Sequence, residues 1–269
     1  MMPSLGQLGP ITLRTYTLLL DLALLIGLGA LIWQGWRIDD EPARWVDAGL
    51  FALVLGIAAA RALHVTIHWA YFVDHQRQIV KIWRGGLDWH GAVIGGLAGL
   101  ALGALVRRVR FRLLTDTCAT LLPLCAAIIY TGCLMASCGH GREVRTLADY
   151  PPLVALELPD LYGVTAPRLS SQLYGVALGL ALLPIAYLLS KLIRRAGVRF
   201  WPMLALLGVG AFWIGFTRGD AVPVYDTIYG PLRLDQILDL GIVALGVAGA
   251  ALAAAPRRGP VLRHPPDEL

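Results

Sequence analysis

IWRGGLDWHGAVIGG, Ile82 to Gly96, passes without interruption from polar, aromatic and glycine-rich residues into an apolar run suited to a lipid bilayer. His90 stands at that threshold. An imidazole at the end of a hydrophobic span either caps the helix in the interface or is placed there for chemistry. The chain around it settles the fold class first. Of 269 residues, 57% are hydrophobic and only 15% charged, and the mean hydropathy is +0.64. That balance excludes a soluble domain and reads as an all-α polytopic membrane protein, with residues 1–269 forming a single integral-membrane domain. The formal charge of +5 comes from arginines flanking apolar runs, which mark topology and anionic headgroups. No nucleic-acid module is visible.

Working outward from this stretch, apolar segments of roughly 20 residues, the length that crosses the hydrocarbon core, lie near 13–34, 46–69, 89–106, 115–136, 170–190, 200–217 and 234–254. Seven transmembrane helices are expected. The run from Tyr16 to Trp33 is long for a signal sequence and lacks a small-x-small cleavage site, so it reads as a retained span. Four segments carry clustered cations: Arg37 and Arg44; Arg107, Arg108, Arg110 and Arg112; Lys191, Arg194, Arg195 and Arg199; and Arg257, Arg258 and Arg263. They fall on one side, which the positive-inside rule makes the cytoplasm, with the C-terminus there and the N-terminus outside. The outer segments are longer and mixed. The one at 137–169, with Pro151, Pro152, Pro159 and Pro167, is expected to form an ordered cap or a mobile lid.

Polar residues gather at the outer helix ends. Tyr16, His90, Ser171, Gln172 and Gln236 open spans there; Tyr130, Cys133 and Arg218 close them. Polar groups from several helices at one depth predict an outward-facing cavity, whereas a transport path would place them at the midplane. Two charges lie deeper in the outer half, Asp21 roughly 12 Å into the first helix and Arg61 roughly 24 Å along the second. The expectation is an ion pair between them, with an anionic lipid group on Arg61 as the alternative. Cys133, Cys138 and His140 lack a fourth partner for a metal, and their reading is structural. Cys118 and Cys125, seven apart, share a helix face as packing residues. GGLAGLALG, Gly95 to Gly103, offers small residues for close helix contact within the chain.

These segments resemble the bacterial phosphatidylglycerol:prolipoprotein diacylglyceryl transferases over nearly the whole chain. GPITLRTYTLLL, Gly9 to Leu20, is similar to the family's opening GP…WY segment, with Tyr16 as its tyrosine. AARALHVTIHW, Ala59 to Trp69, resembles GGRxGYVLFY and carries Arg61. The opening stretch resembles the signature WxGGLSFHGGLIGG and brings His90. GCLMASCGHGR follows GCFLNGCCYGR, keeping Gly132, Cys133, Cys138, Gly141 and Arg142. SSQLYG, Ser170 to Gly175, follows HPSQLYE, and LRLDQILDL, Leu232 to Leu240, follows LSxxQxLSL.

The resemblance implies a seven-helix enzyme of the bacterial inner membrane that moves diacylglyceryl from phosphatidylglycerol, or a related anionic lipid, to the lipobox cysteine in the signal peptide of a preprolipoprotein. No cofactor or metal is implied. His90 and Tyr16 would be the catalytic residues, His90 as base or orienter, and Arg61, Arg142, Gly141, Arg218, Ser171, Gln172 and Gln236 would bind lipid and phosphate. The chain departs from the family pattern at Tyr130, which stands where the family has an arginine, at Ala136 and Ser137 for its asparagine and glycine, at Ala92 for a glycine, at Gly175 for a glutamate and at Trp213 for an inner arginine. These losses imply slow turnover. They leave as an alternative a catalytically degenerate homologue that binds lipid or signal peptide.

Overall fold

The structure is a computed structural model that describes residues 4–8, 11–38, 41–228 and 230–255. Gly9 and Pro10 of the opening motif, and Arg257, Arg258 and Arg263 of the expected cationic face, lie outside these residues. The helices are α1 (Thr15–Ile38), α2 (Pro42–Ile67), the single turn α3 (Trp69–Phe72), α4 (Trp89–Arg107), α5 (Phe111–Ala136), α6 (Ser171–Leu192), α7 (Phe200–Gly215) and α8 (Leu234–Ala254). Six of them, α1, α2, α4, α5, α6 and α8, are long and apolar enough to cross a membrane. α7 has 16 residues. It stops two residues before the expected boundary because the Thr217 N–H bonds back to the Ile214 carbonyl and the Gly219 N–H turns to the His140 carbonyl, drawing the chain out of the helix.

The position of His90 is set by the packing of α4 on α2. Gly91, Gly95, Gly99 and Gly103 recur every fourth residue and so share one face of α4. A Cβ on Gly91 would stand 2.5 Å from the Ala59 carbonyl oxygen, and one on Gly103 2.6 Å from the Ala48 Cα; at Gly95 and Gly99 the Leu55 and Phe51 carbonyls are closer still. Hydrogen in place of a side chain lets the two backbones touch along the whole contact. Near the far end of this pair a core forms from Leu31, Trp45, Ala48, Leu100, Ala104 and Leu114. A second cluster joins Met203 and Leu207 of α7 to Leu182 and Ala186 of α6.

The expected all-α character holds for the apolar segments, but the segments outside them carry three antiparallel hairpins: β1 (Ser4–Leu8) with β2 (Ile11–Arg14), β3 (Ala155–Pro159) with β4 (Thr165–Leu169), and β5 (Val224–Thr227) with β6 (Gly230–Arg233). The first precedes α1 and the other two lie in the α5–α6 and α7–α8 connections, all at the end of the bundle where α4 begins. Their sequences escape a reading tuned to long apolar runs because they are short and polar-edged. In the β3–β4 hairpin, Asp160 closes the turn by accepting from the Tyr162 and Val164 N–H groups at 2.8 and 2.9 Å. The buried Arg168 donates to Glu143 at 2.8 Å and to Asp160 at 3.3 Å. Ser170 and Tyr174 bind the Leu153 and Val154 carbonyls, fixing the hairpin to the start of α6.

Cys133 and Cys138 form a disulfide with their Cα atoms 4.7 Å apart. Their spacing alone suggested no pairing. The left-handed turn at Ser137, φ 60°, reverses the chain after α5 and brings them together. Serine is costly in this conformation and glycine is not. Ser137→Gly is therefore expected to stabilise the protein by about 1 kcal/mol, read as a higher thermal midpoint in detergent. An unchanged or lower midpoint would contradict this.

Candidate active site

His90 is buried, and both of its ring nitrogens face carboxylates. Nδ1 lies 2.9 Å from Asp88 Oδ1, and Nε2 lies 2.9 Å from Asp239 Oδ1. Asp88 is placed by the local fold: it is the N-cap of α4, accepting from the His90 and Gly91 N–H groups at 2.9 and 3.4 Å, while its own N–H binds the Ala60 carbonyl of α2 at 3.1 Å. Burial pushes the Asp88 carboxyl up, but the hydrogen bond and charge of His90 and the two backbone N–H groups outweigh it and hold the group below the usual carboxylate range. Asp239 reaches His90 from α8. A neutral imidazole has one N–H and cannot donate to two ionised carboxylates, so this unit bridges fully only with an extra proton, held on His90 or on an aspartate.

Beside it lies a second charged group. Arg218 donates to Asp220 at 2.9 and 2.6 Å and stands 3.3 Å from Asp235. Arg233, at the end of β6, donates to Asp235 at 3.0 and 3.1 Å and to Asp220 at 3.1 Å. Two cations and two anions close a neutral ring. Burial pushes Asp220 up, yet the hydrogen bond and charge of Arg218, with the charge of Arg233, bring it below the ordinary range. Burial likewise works against the Arg218 charge, but Asp220 and Asp235 more than compensate and hold it protonated. Asp235 and Asp239 sit one turn apart on the buried face of α8. Gln236 between them accepts from the Arg233 N–H at 3.1 Å and donates to the Phe212 carbonyl at 3.1 Å, packing where Gly215 leaves space.

The segment after the disulfide borders this ring through its backbone. Arg142 N–H donates to the Thr217 carbonyl at 2.9 Å, the Arg142 carbonyl accepts from Leu169, and Gly141 leaves no room for a Cβ against Leu169. Ser171 Oγ meets Thr217 Oγ1 at 2.9 Å. Gln172 is buried and donates to the Cys138 carbonyl at 3.2 Å, while its Oε1 has no donor among the described residues. The Arg142 side chain is exposed and has no ion-pair partner among the described residues.

Tyr130 and Gly175, two departures from the family pattern, meet directly. The Tyr130 ring occupies the place where a Gly175 side chain would stand, and its hydroxyl is within electrostatic reach of Arg218, Asp239, Asp235 and Asp220. Tyr16 lies over Gly132 of α5, 3.2 Å from where a Cβ would be, and its hydroxyl has no hydrogen-bond partner among the described residues. Ala136 is the last residue of α5.

Other expected site residues fall elsewhere. Trp213 is 66% exposed, makes ring contacts with Phe212 and Phe216, and forms no hydrogen bond with the charged ring among the described residues. Arg61 does not pair with Asp21. It donates to four backbone carbonyls, Gln78 at 2.6 Å, Ile79 at 2.8 Å, Gly85 at 2.7 Å and Gly86 at 2.9 Å, and stacks over Phe72. These carbonyls take four of the five guanidinium N–H donors without a distant carboxylate, and Asp21 is left exposed on α1. Arg61 thus holds the strand of chain that leads into His90 and is not a free cation. Sequence reasoning missed Asp88, Asp220, Arg233, Asp235 and Asp239. The signals were present: an aspartate just before an apolar helix is an N-cap pattern, and Asp235 and Asp239 are ionisable residues in a span.

A family model described as prolipoprotein diacylglyceryl transferase matches residues 3–252. Proteins named phosphatidylglycerol–prolipoprotein diacylglyceryl transferase are similar along almost the full length. That of a Nostoc species is 31% identical over 254 residues, covering 93% of this chain and 88% of the relative. That of Thermosynechococcus vestitus is 30% identical over 250 residues, covering 90% and 89%. That of Bacillus cytotoxicus is 29% identical over 246 residues, covering 90% and 88%.

Proposed function

The chain belongs to the prolipoprotein diacylglyceryl transferase family, and from that premise we propose that it transfers diacylglyceryl from phosphatidylglycerol to the lipobox cysteine thiol of a preprolipoprotein. The observation that carries this reading at the level of residues is His90 held between Asp88 and Asp239 beside Arg218 and Arg233, at the head of a membrane span.

In this mechanism the cysteine thiol gives its proton to the Asp88–His90–Asp239 unit. Asp239 Oδ2, which has no hydrogen-bond partner among the described residues, is the receiving end, and His90 spreads the charge. The thiolate sulfur attacks the glyceryl carbon of the lipid. A sulfur–carbon bond forms as the bond from that carbon to the phosphate oxygen breaks, and glycerol phosphate leaves with the electron pair. Arg142 meets the leaving phosphate with its unpaired charge, and Arg218 adds a donor when its contact with Asp235 loosens. Tyr16 donates to the lipid headgroup, and Gln172 Oε1 accepts from its glycerol.

In this reading α7 is a seventh span, about 24 Å long at 1.5 Å per residue, and the polar helix ends open to the outer leaflet of a bacterial inner membrane. The N-terminus is outside and the C-terminus cytoplasmic, a reading that the arginine asymmetry supports. Arg218 and Arg233 are neutralised within the protein, so phosphate stabilisation is the step most short of charge.

The test is lipidation of a lipobox peptide by the purified protein in phosphatidylglycerol vesicles. Tyr130→Arg is expected to raise the rate by about 10²-fold, the value of one preorganised donor, because the space over Gly175 accepts the longer side chain and the net negative charge of the Asp88–His90–Asp239 unit offsets its charge. Trp213→Arg is expected to leave the rate unchanged. No gain from Tyr130→Arg with lipid binding retained would favour a lipid- or signal-peptide-binding role without turnover.

A further inference from the structure

At the opposite end of the bundle from His90, the turn between α4 and α5 and the segment after α6 enclose a cleft of about 570 Å³. Arg110, Arg112 and Arg195 line it together with Phe111 and Leu113. Arg107 is paired with Asp47, but Arg110 and Arg112 have no carboxylate partner among the described residues. Asp116, a turn farther along α5, is spent on the Gly197 and Arg199 N–H groups at 2.8 and 3.1 Å. Arg195 is partly committed to the Ala254 and Ala255 carbonyls. α5 begins here without a side-chain cap, so its first N–H groups and the positive end of its dipole add to the cations.

An independent feature lies against the same wall. A pocket of about 60 Å³ shares Arg110 and Leu113 with the cleft and is lined by Arg108 and by Trp45. Trp45 is 1% exposed and its Nε1 has no acceptor among the described residues. A buried indole N–H without a partner is costly, and it marks a place for an oxygen. The cleft therefore offers positive charge and helix N–H groups for a phosphate, apolar surface for the start of acyl chains, and in the adjoining pocket one donor for a neutral oxygen. Basic pockets between helix ends at this depth recognise anionic headgroups.

We propose that this cleft is a binding site for an anionic glycerophospholipid of the leaflet opposite to the His90 site. The phosphate sits among Arg110, Arg112, Arg195 and the start of α5, and an ester carbonyl or headgroup hydroxyl accepts from Trp45. Phe111 and Leu113 favour a lipid over free phosphate, because a soluble ion gains nothing from them.

The test uses the full chain in phosphatidylcholine nanodiscs with cardiolipin as the added probe, read by native mass spectrometry and by titration of labelled cardiolipin. One saturable lipid is expected, bound at least tenfold more weakly after Arg110→Gln with Arg112→Gln, and about threefold more weakly after Trp45→Phe. Neither change should alter lipidation at His90. If the double variant fails to fold, Trp45→Phe, which keeps the ring and removes only the N–H donor, still decides. Equal affinity in all folded variants would overturn the proposal. So would inorganic phosphate displacing the probe at low millimolar concentration, which would make this a free-phosphate site.

Discussion

Replacing His90 with alanine is expected to lower thiol lipidation by about 10³ to 10⁴, and Asp239→Asn by about 10², the range that general acid–base groups supply. Both numbers follow from the way the ring is held. With Nδ1 on Asp88 and Nε2 on Asp239, each at 2.9 Å, His90 is not a solitary base, and its proton affinity belongs to the three groups together. Asparagine at 239 can still accept from Nε2, so the ring keeps its orientation. It cannot take a proton or neutralise an imidazolium. The loss should therefore appear in kcat with KM little changed. The pH profile should change as well, which a purely structural role for Asp239 would not produce. Full activity in Asp239→Asn beside a dead His90→Ala would show that His90 acts alone, with Nε2 released during turnover.

Gly95→Val carries the second large effect. A side chain at this position would press against the Leu55 backbone, which cannot rotate away as a flexible side chain does, and against the Ala59 Cβ. Overpacking against backbone belongs with the severe substitutions, and a loss of about 4 kcal/mol or more is expected. Because α4 carries His90 and receives Asp88 through the Ala60 contact, the shift also displaces the site. The adjacent Gly96 provides the control. Its Cβ would meet only the Ala52 carbonyl at 4.0 Å, so Gly96→Ala should express and melt like the unaltered protein. Yield of monodisperse protein and thermal midpoint measure both, and a well-folded Gly95→Val with an unchanged midpoint would contradict the close contact of α2 and α4.

What could be read from the sequence and what could not divide along a physical line. Apolar run length reports burial in a bilayer, so helix positions are legible to within a few residues. The fourfold glycine spacing of α4 likewise reveals a close-packed face. His90 is legible because a polar ring at a span boundary is expensive. Its partners are not, because hydrogen bonds between α4 and α8 join residues 149 apart, and no local pattern encodes that distance. The same limit misassigned Arg61. Depth along a helix made Asp21 a plausible partner, whereas the loop at 76–86 folds back to supply four carbonyls that periodicity does not foretell. The hairpins and the Cys133–Cys138 bond are products of turns, above all the left-handed Ser137. The replacement of an arginine by Tyr130 and of a glutamate by Gly175 looks like two losses in sequence. In space it is one change, a ring filling the position the side chain vacated.

The account rests most directly on transfer itself. Purified protein, vesicles of phosphatidylglycerol labelled in the diacylglyceryl part, and a lipobox peptide with a single cysteine would be incubated and the peptide examined by mass spectrometry. The predicted result is a peptide heavier by one labelled diacylglyceryl group in thioether linkage to the cysteine, with glycerol phosphate released in equal amount and both products formed about 10³ to 10⁴ times more slowly by His90→Ala. Peptide and lipid that bind the protein yet are recovered unchanged after many hours would contradict it.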